Sequence, residues 1–191
     1  SNNRLMRVIA GKYRGKKLFL PKDKNTRPLK DMVKESIFNL LDHSNKFNID
    51  LKNSTVLDLF AGSGSFGLEC ISRGSKNVYF FENYTEAIEI LNKNLMSLKE
   101  EKNYKIFNND CFDFFNSERK FEEKFNIIFL DPPYKEIKIN ELINKIIEKK
   151  ILANNGIFII HRHKNDKLEL TKKIEILDIR NYGVSKILIA H

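Results

Sequence analysis

The chain has only two cysteines, Cys70 and Cys111, among its 191 residues. They form no paired framework and have no metal-ligand spacing, which excludes a disulfide-stapled fold and a cysteine metal site and leaves them as buried small side chains. Long apolar runs are missing too. No uninterrupted stretch approaches the ~18 residues that span a bilayer, and no signal-peptide pattern opens the chain. The expectation is therefore a cytoplasmic protein. Internal repeats and low-complexity segments are absent, which excludes a repeat architecture. What remains, at 41% hydrophobic and 31% charged residues, is the composition of a soluble globular chain with one sizeable core. Prolines number only four, and two of them are adjacent.

Those two stand in Asp131-Pro132-Pro133-Tyr134, directly after the apolar run Ile127-Ile128-Phe129-Leu130. A short apolar run closed by two prolines reads as a buried strand ending in a stiff loop. Each proline fixes its own φ and gives up its N–H, and the residue before a proline is pushed toward extended backbone. An acid, rigid acceptor carbonyls and an aromatic face at a strand end suit the gripping of a planar base through its exocyclic amine. The same four residues also fit a plain strand stop, with Tyr134 as packing.

A second motif narrows the choice. Val56-Leu57-Asp58-Leu59-Phe60 reads as a strand, followed by Ala61-Gly62-Ser63-Gly64-Ser65-Phe66-Gly67 and a helix to about Arg73. Glycines 62, 64 and 67 give G-x-G-x-x-G in a strand–turn–helix setting. In that pattern Gly62 permits the tight turn, Gly64 lets a ligand approach the backbone, and Gly67 allows close helix–strand packing. The next strand, Val78-Tyr79-Phe80-Phe81, ends in Glu82, whose carboxylate can accept both hydroxyls of a ribose. Alone, this loop fits a nicotinamide enzyme as well as a methyltransferase.

Charge is concentrated at one end. Residues 1–34 hold eleven Lys or Arg and two acids, Asp23 and Asp31, while the rest of the chain carries equal numbers of each sign, so the whole net charge of +9 lies there. Arg4, Arg7, Lys12, Arg14, Lys16 and Lys17 surround two short apolar runs, read as a β-hairpin with a cationic exposed face. Such a stripe is an electrostatic footprint for a polyanion.

Beyond it the pattern alternates. Helices are expected over Lys30–Leu41, Tyr84–Leu98 and Ile139–Lys149, with another helix or turn opening at Cys111. Strands are expected at Tyr104–Phe107, up to Leu130, at Gly156–Ile160, Ile174–Arg180 and Ile187–Ala190, the last two as a hairpin. The expected fold class is α/β: a Rossmann-like, mostly parallel seven-stranded sheet with an antiparallel last strand, plus a small N-terminal β-hairpin and helix. Residues 1–45 read as a basic extension and 46–191 as the catalytic domain. Ligands in such sheets bind beyond the strands' carboxyl ends, where the glycine loop, Glu82, Asp110 and Asp131 all fall. Asp110 could accept from an adenine amino group with the Cys111 N–H on the ring nitrogen, or cap the following helix. His161-Arg162-His163 places two imidazoles on one side of a strand without a third ligand, so no metal is expected.

Asp58-Leu59-Phe60-Ala61-Gly62-Ser63-Gly64 together with the tetrad resembles S-adenosylmethionine-dependent amino-methyltransferases. More narrowly, the chain is similar to the bacterial RsmD family, which methylates a guanine N2 in 16S ribosomal RNA. The narrower match rests on Arg7-Val8-Ile9-Ala10-Gly11-Lys12-Tyr13-Arg14-Gly15-Lys16-Lys17-Leu18, on Thr26-Arg27-Pro28 and on Val33-Lys34-Glu35-Ser36-Ile37-Phe38-Asn39-Leu40-Leu41. The family commonly has Thr where this chain has Leu29, and often Phe where it has Tyr134.

The resemblance implies a class I methyltransferase of the guanine(966)-N(2) type, with S-adenosylmethionine held by Asp58, Phe60, Ala61, Gly62, Ser63, Gly64, Glu82, Asn109, Asp110 and Cys111. It implies catalysis by Asp131, Pro132, Pro133 and Tyr134, and RNA contacts from Arg7, Lys12, Arg14, Lys16, Lys17, Arg27 and Lys34. The partner it implies is ribosomal RNA within a partly assembled small subunit, met by a monomer without membrane or metal. The alternatives are an adenine-N6 methyltransferase of DNA or RNA, and a non-enzymatic RNA-binding assembly factor.

Overall fold

The computed structural model describes residues 6–22, 28–136 and 138–191. Arg4, Arg27 and the Thr26-Arg27 part of the family block lie outside them. Seven strands form one sheet: β1 (Thr55–Asp58), β2 (Asn77–Phe81), β3 (Tyr104–Phe107), β4 (Phe125–Leu130), β5 (Leu152–His163), β6 (Ile176–Tyr182) and β7 (Ser185–Ala190). Their order is β3-β2-β1-β4-β5-β7-β6, with β7 antiparallel to both neighbours and every other pairing parallel. The expected hairpin thus places its second strand inside the sheet and leaves β6 at the edge.

The strands form where apolar residues run without a break because both faces are covered. Val56, Val78, Phe80, Ile127, Phe129, Ile157, Ile159, Ile187 and Ile189 face one core. Leu57, Phe81, Ile128, Leu130, Phe158, Ile160, Leu188 and Ala190, the alternate positions, face the other. Helices α1 (Asp31–His43), α2 (Ser65–Ser72) and α3 (Thr85–Met96) cover the first face; α4 (Cys111–Asn116) and α5 (Ile139–Glu148) cover the second. In α5 the buried Ile139, Leu142, Ile143 and Ile146 follow the helical period. The chain winds outward from β1 toward β3, then returns to β4 and winds toward β5. The strand order therefore reverses between β1 and β4.

The N-terminal segment has no core of its own. Met6, Val8 and Leu18, together with Leu29, join the core beneath α1 and α2. Leu29 is 5% exposed. Among the described residues, the expected hairpin is reduced to one antiparallel bridge, Arg7 to Lys17, plus bonds from Val8 N to Lys16 O (2.9 Å), Gly15 N to Val8 O (2.8 Å) and Leu18 N to Met6 O (2.8 Å). The segment is fastened from outside instead. Both Glu69 oxygens accept from its backbone, at Ile9 N (2.8 Å) and Ala10 N (3.0 Å), and Glu69 also pairs with Arg73 (2.8 Å).

Lys34 corrects the expectation of an RNA contact. It is fully buried, donating to the Arg7 carbonyl (2.8 Å) and the Ser65 hydroxyl (3.0 Å), with Glu69 at 3.4 Å. Burial pulls its ammonium below the ordinary lysine value, opposed by Glu69 and Asp31. A charge in that position serves the fold, because phosphate cannot reach it.

Candidate active site

Three carboxylates project from neighbouring strands at the reversal point. In register, Asp58 on β1 lies beside Phe80 on β2 and Phe129 on β4. Glu82 and Asp131 each stand two residues further along, so period-two alternation puts all three acids on one face. Asp58 is 1% exposed. Burial raises its carboxyl well above the usual range, and Asp131 and Glu82 push it further, against backbone N–H groups of Gly67 and Phe60. Its Oδ1 is buried without a hydrogen-bond partner among the described residues.

The glycine loop is tied down on both sides. Ala61 N donates to Phe81 O (3.0 Å) and Gly64 N to Ala61 O (2.8 Å). Gly62 has φ +55°, with open space where a side chain would stand, and its N–H donates to Glu82 Oε1 (2.8 Å). Gly64 departs from its expected role. At φ +86° its missing Cβ would come within 2.5 Å of Leu91 and 2.6 Å of Leu68, so its bareness serves packing against α3 and α2. The side open to a ligand is at Gly62. Gly67 behaves as expected, since a Cβ there would meet Phe80 at 2.2 Å.

Glu82 has a double task. Beyond Gly62, its Oε2 accepts from Asn83 N and Tyr84 N, both at 3.0 Å. Three of roughly four acceptor positions on the carboxylate are thus taken by backbone. Asp110 is an N-cap: Oδ1 accepts from Phe112 N (2.7 Å) and Asp113 N (3.2 Å), while Oδ2 lies 3.5 Å from Asn83 Nδ2. Asn109 is exposed, whereas Cys111 is buried, with burial and Asp110 raising its thiol. Phe60 meets Phe112 edge-on at 6.0 Å, so the expected Phe60 is joined by a second aromatic beside the loop. Ser63 is buried, and its carbonyl accepts from Asn94 Nδ2 (2.8 Å). Asn94 also bonds Phe19 N (2.8 Å) and Phe19 O (3.0 Å), joining the loop to the cationic segment.

The tetrad leaves the carboxyl end of β4, the strand paired with β1. Pro132 is buried and Pro133 exposed, with the Pro133 carbonyl accepting from Glu136 N at 2.9 Å. Tyr134 is 54% exposed and meets His163 edge-on at 5.6 Å. Asp131 Oδ1 lies 2.8 Å from His161 Nδ1. No local sequence pattern marks His161 as the partner of Asp131, because the two lie 30 positions apart, one just past β4 and the other on β5. Among the described residues no group of three or more His, Cys, Asp or Glu is placed to hold a metal ion.

Of the expected RNA-binding residues, Arg7, Arg14 and Lys17 are exposed. Lys12 pairs with Glu100 and Glu101, both at 3.1 Å, and Lys16 donates to Ser97 O at 2.8 Å.

The crevice fits S-adenosylmethionine, the cofactor implied by the resemblance. Asp58, whose Oδ1 is buried without a donor among the described residues, suits a ligand bearing an ammonium. Asp58 and the Gly62 loop would hold the amino-acid end, Glu82 a ribose hydroxyl, and Phe60 with Phe112 a base. Asp58→Asn tests the assignment. A carboxyl whose folded pKa is raised contributes stability below its unfolded value near ~3.9 and loses it as pH rises through the folded value. At neutral pH the acid therefore costs stability that Asn does not. The variant should melt no lower than the parent at pH 7, with any advantage shrinking toward pH 4. It should bind the cofactor roughly 10–100-fold more weakly by calorimetry, through loss of a charged hydrogen bond. A lower melting temperature at pH 7, or unchanged affinity, would contradict this role.

Comparison with known proteins gives the family. A family described as Conserved hypothetical protein 95 matches residues 6–191. The Ribosomal RNA small subunit methyltransferase D of Haemophilus influenzae is 32% identical over 180 residues, covering 94% of this chain and 90% of its own length. The YlbH protein of Bacillus subtilis (strain 168) is 38% identical over 161 residues, 84% of each chain. The solved structure of the yhhF protein from Escherichia coli superposes with a TM-score of 0.79 at 26% identity, covering 97% of both chains. A match running from residue 6 to residue 191 settles the relationship: the chain belongs to the RsmD-like family of methyltransferases.

Proposed function

We propose that this protein transfers a methyl group from S-adenosylmethionine to the exocyclic N2 of a guanine in small-subunit ribosomal RNA, the guanine(966)-N(2) type. The observation that carries the reading is the parallel pairing of β1 with β4, from whose carboxyl ends the Gly62 loop and the Asp131 tetrad both leave. The small-subunit rRNA methyltransferase named among the relatives supports the substrate class.

S-adenosylmethionine supplies an electrophilic methyl on a sulfonium, which leaves as a neutral thioether when the new N–C bond forms. The guanine N2 lone pair is delocalised into the ring and must be turned toward that methyl. Asp131 Oδ2 and the Pro132 carbonyl accept the two amine hydrogens, fixing the nitrogen's orientation. Tyr134 offers its exposed ring to the base, a stacking contact of ~1–3 kcal/mol. Positioning of this kind supplies several kcal/mol of barrier reduction, on the order of 7–11 at best. The nitrogen is cationic once the new N–C bond forms, so it is acidic enough to give its extra proton to water without a strong base. The guanine enters unstacked, either flipped out or already unpaired.

Residues 1–45 serve as the RNA-holding extension, with Arg7, Arg14 and Lys17 on phosphates and positioning without reading sequence. Replacing all three with Ala should weaken RNA binding for every sequence tested and flatten the log–log salt dependence by ~0.7 per lost phosphate contact. Cofactor affinity should not move. Lys12→Ala and Lys16→Ala should have smaller effects on RNA, because those side chains already have partners within the protein. An unchanged salt slope in the triple variant would remove the segment from the interface.

Transfer of labelled methyl to naked 16S RNA, partly assembled 30S particles and DNA tests the whole reading. Label at guanine N2 in the particle or the RNA supports it. Label at adenine N6 would replace it with the adenine reading, and binding without transfer would leave an assembly factor.

A further inference from the structure

Strand β5 turns polar at its end, and its last two same-face residues both reach the tetrad. After Ile157 and Ile159 in the core, alternation brings His161 and His163 to the same side. His161 Nδ1 lies 2.8 Å from Asp131 Oδ1, and His163 meets Tyr134. The other nitrogen of His161 is also committed: Nε2 lies 2.8 Å from Ser185 Oγ. Ser185 comes from β7, where it pairs with His163, while Ile187 pairs with His161. Ser185 is thus a diagonal same-face neighbour of His161, within reach across an antiparallel ladder. It is 7% exposed, and the His161 and Asp131 side chains are 20% exposed each.

An ionised carboxylate can only accept, so Nδ1 must carry the hydrogen facing Asp131. In the neutral ring Nε2 is then the acceptor, and the Ser185 hydroxyl donates to it. The second hydrogen bond sets the tautomer that the first one needs. Carboxylate χ2 torsions are otherwise broad. With Oδ1 held by the imidazole, the carboxylate plane is fixed and Oδ2 is the oxygen available to a substrate amine.

We propose that His161 is a positioning residue: Ser185 selects its Nδ1–H tautomer, and the ring holds the Asp131 carboxylate in the orientation that receives the substrate amine. This inference rests on the methyl-transfer reading for its consequence and on the hydrogen-bond chain for its substance, so two measurements separate them. The first needs no substrate. Nitrogen-15 NMR of the histidine side chains in the full chain should assign His161 to the Nδ1–H form, shifting toward a tautomer mixture in Ser185→Ala. A predominantly Nε2–H ring in the parent protein would overturn the proposal.

The second is kinetic, on the RNA or particle that the parent protein methylates. His161→Ala should lower kcat by about 10–100-fold, the range expected when a reacting group loses its placement. Cofactor affinity and RNA KM should stay within about twofold, because no binding contact is lost. His161→Asn, whose amide N–H sits where Nδ1–H was, should recover most of that loss, while His161→Gln should not. Parental kcat in His161→Ala would overturn the proposal. So would equal losses in the Ala and Asn variants, the pattern of a merely structural role. A parent protein inactive on every rRNA substrate would count against the methyl-transfer reading, and the tautomer measurement would then decide the hydrogen-bond chain.

Discussion

Asp131→Ala is expected to abolish most methyl transfer, lowering kcat on the order of 10²–10³-fold, the scale seen when a preorganised polar contact to a reacting group is removed. Cofactor affinity, followed by calorimetry, should change by no more than about twofold, as expected for a contact made to the other reactant. The division follows from the sheet: Asp131 leaves β4, whereas the Gly62 loop and Glu82 follow β1 and β2. One coupling crosses between them, because Asp131 is among the groups raising the Asp58 carboxyl. Removing that charge should ease Asp58 ionisation and leave cofactor binding intact or slightly tighter. Asp131→Asn keeps an acceptor oxygen and loses the charge, so it should fall between Ala and the parent. A loss of cofactor affinity matching the loss of kcat would refute this separation.

Lys34→Ala should be the most destabilising single change considered. Removing one partner of a buried ion pair costs about 3–5 kcal/mol, because the other charge stays buried. At ~2–4 °C per kcal/mol for a chain of this size, the melting temperature should fall roughly 6–20 °C in calorimetry. Arg73 and two backbone N–H groups would still reach Glu69, which keeps the loss from exceeding that range. The segment fastened at Arg7 O, Ile9 N and Ala10 N should loosen as well, so RNA affinity should fall although Lys34 never meets RNA. Weaker RNA binding at an unchanged melting temperature would restore Lys34 to the interface and contradict its buried role.

Much of the architecture was readable because strands and helices bury apolar side chains at different periods. Tyr104–Phe107 forms the strand expected, and the helices at 85–96 and 139–148 fall within one or two residues of their expected ends. Strand β5 runs longer than its apolar centre, from Leu152 to His163. Its polar end is held by ladder bonds to β7, which require no apolar side chain. The hydroxyl of Ser185 and the imidazole of His161 are 24 positions apart, and no local pattern joins them.

The class of fold, the glycine loop, the acids Asp58, Glu82 and Asp131 at three strand ends and the single cationic end were legible along the chain, because each is a matter of local order. Tertiary structure decided what those groups face. It turned Gly64 inward and Gly62 outward, buried Lys34 against Glu69, and tied up Lys12 and Lys16. It also set His161 behind Asp131. Periodicity tells which side of a strand or helix a residue takes, but a charge's role depends on what lies across from it. That partner comes from another strand or helix, placed only when the whole sheet closes.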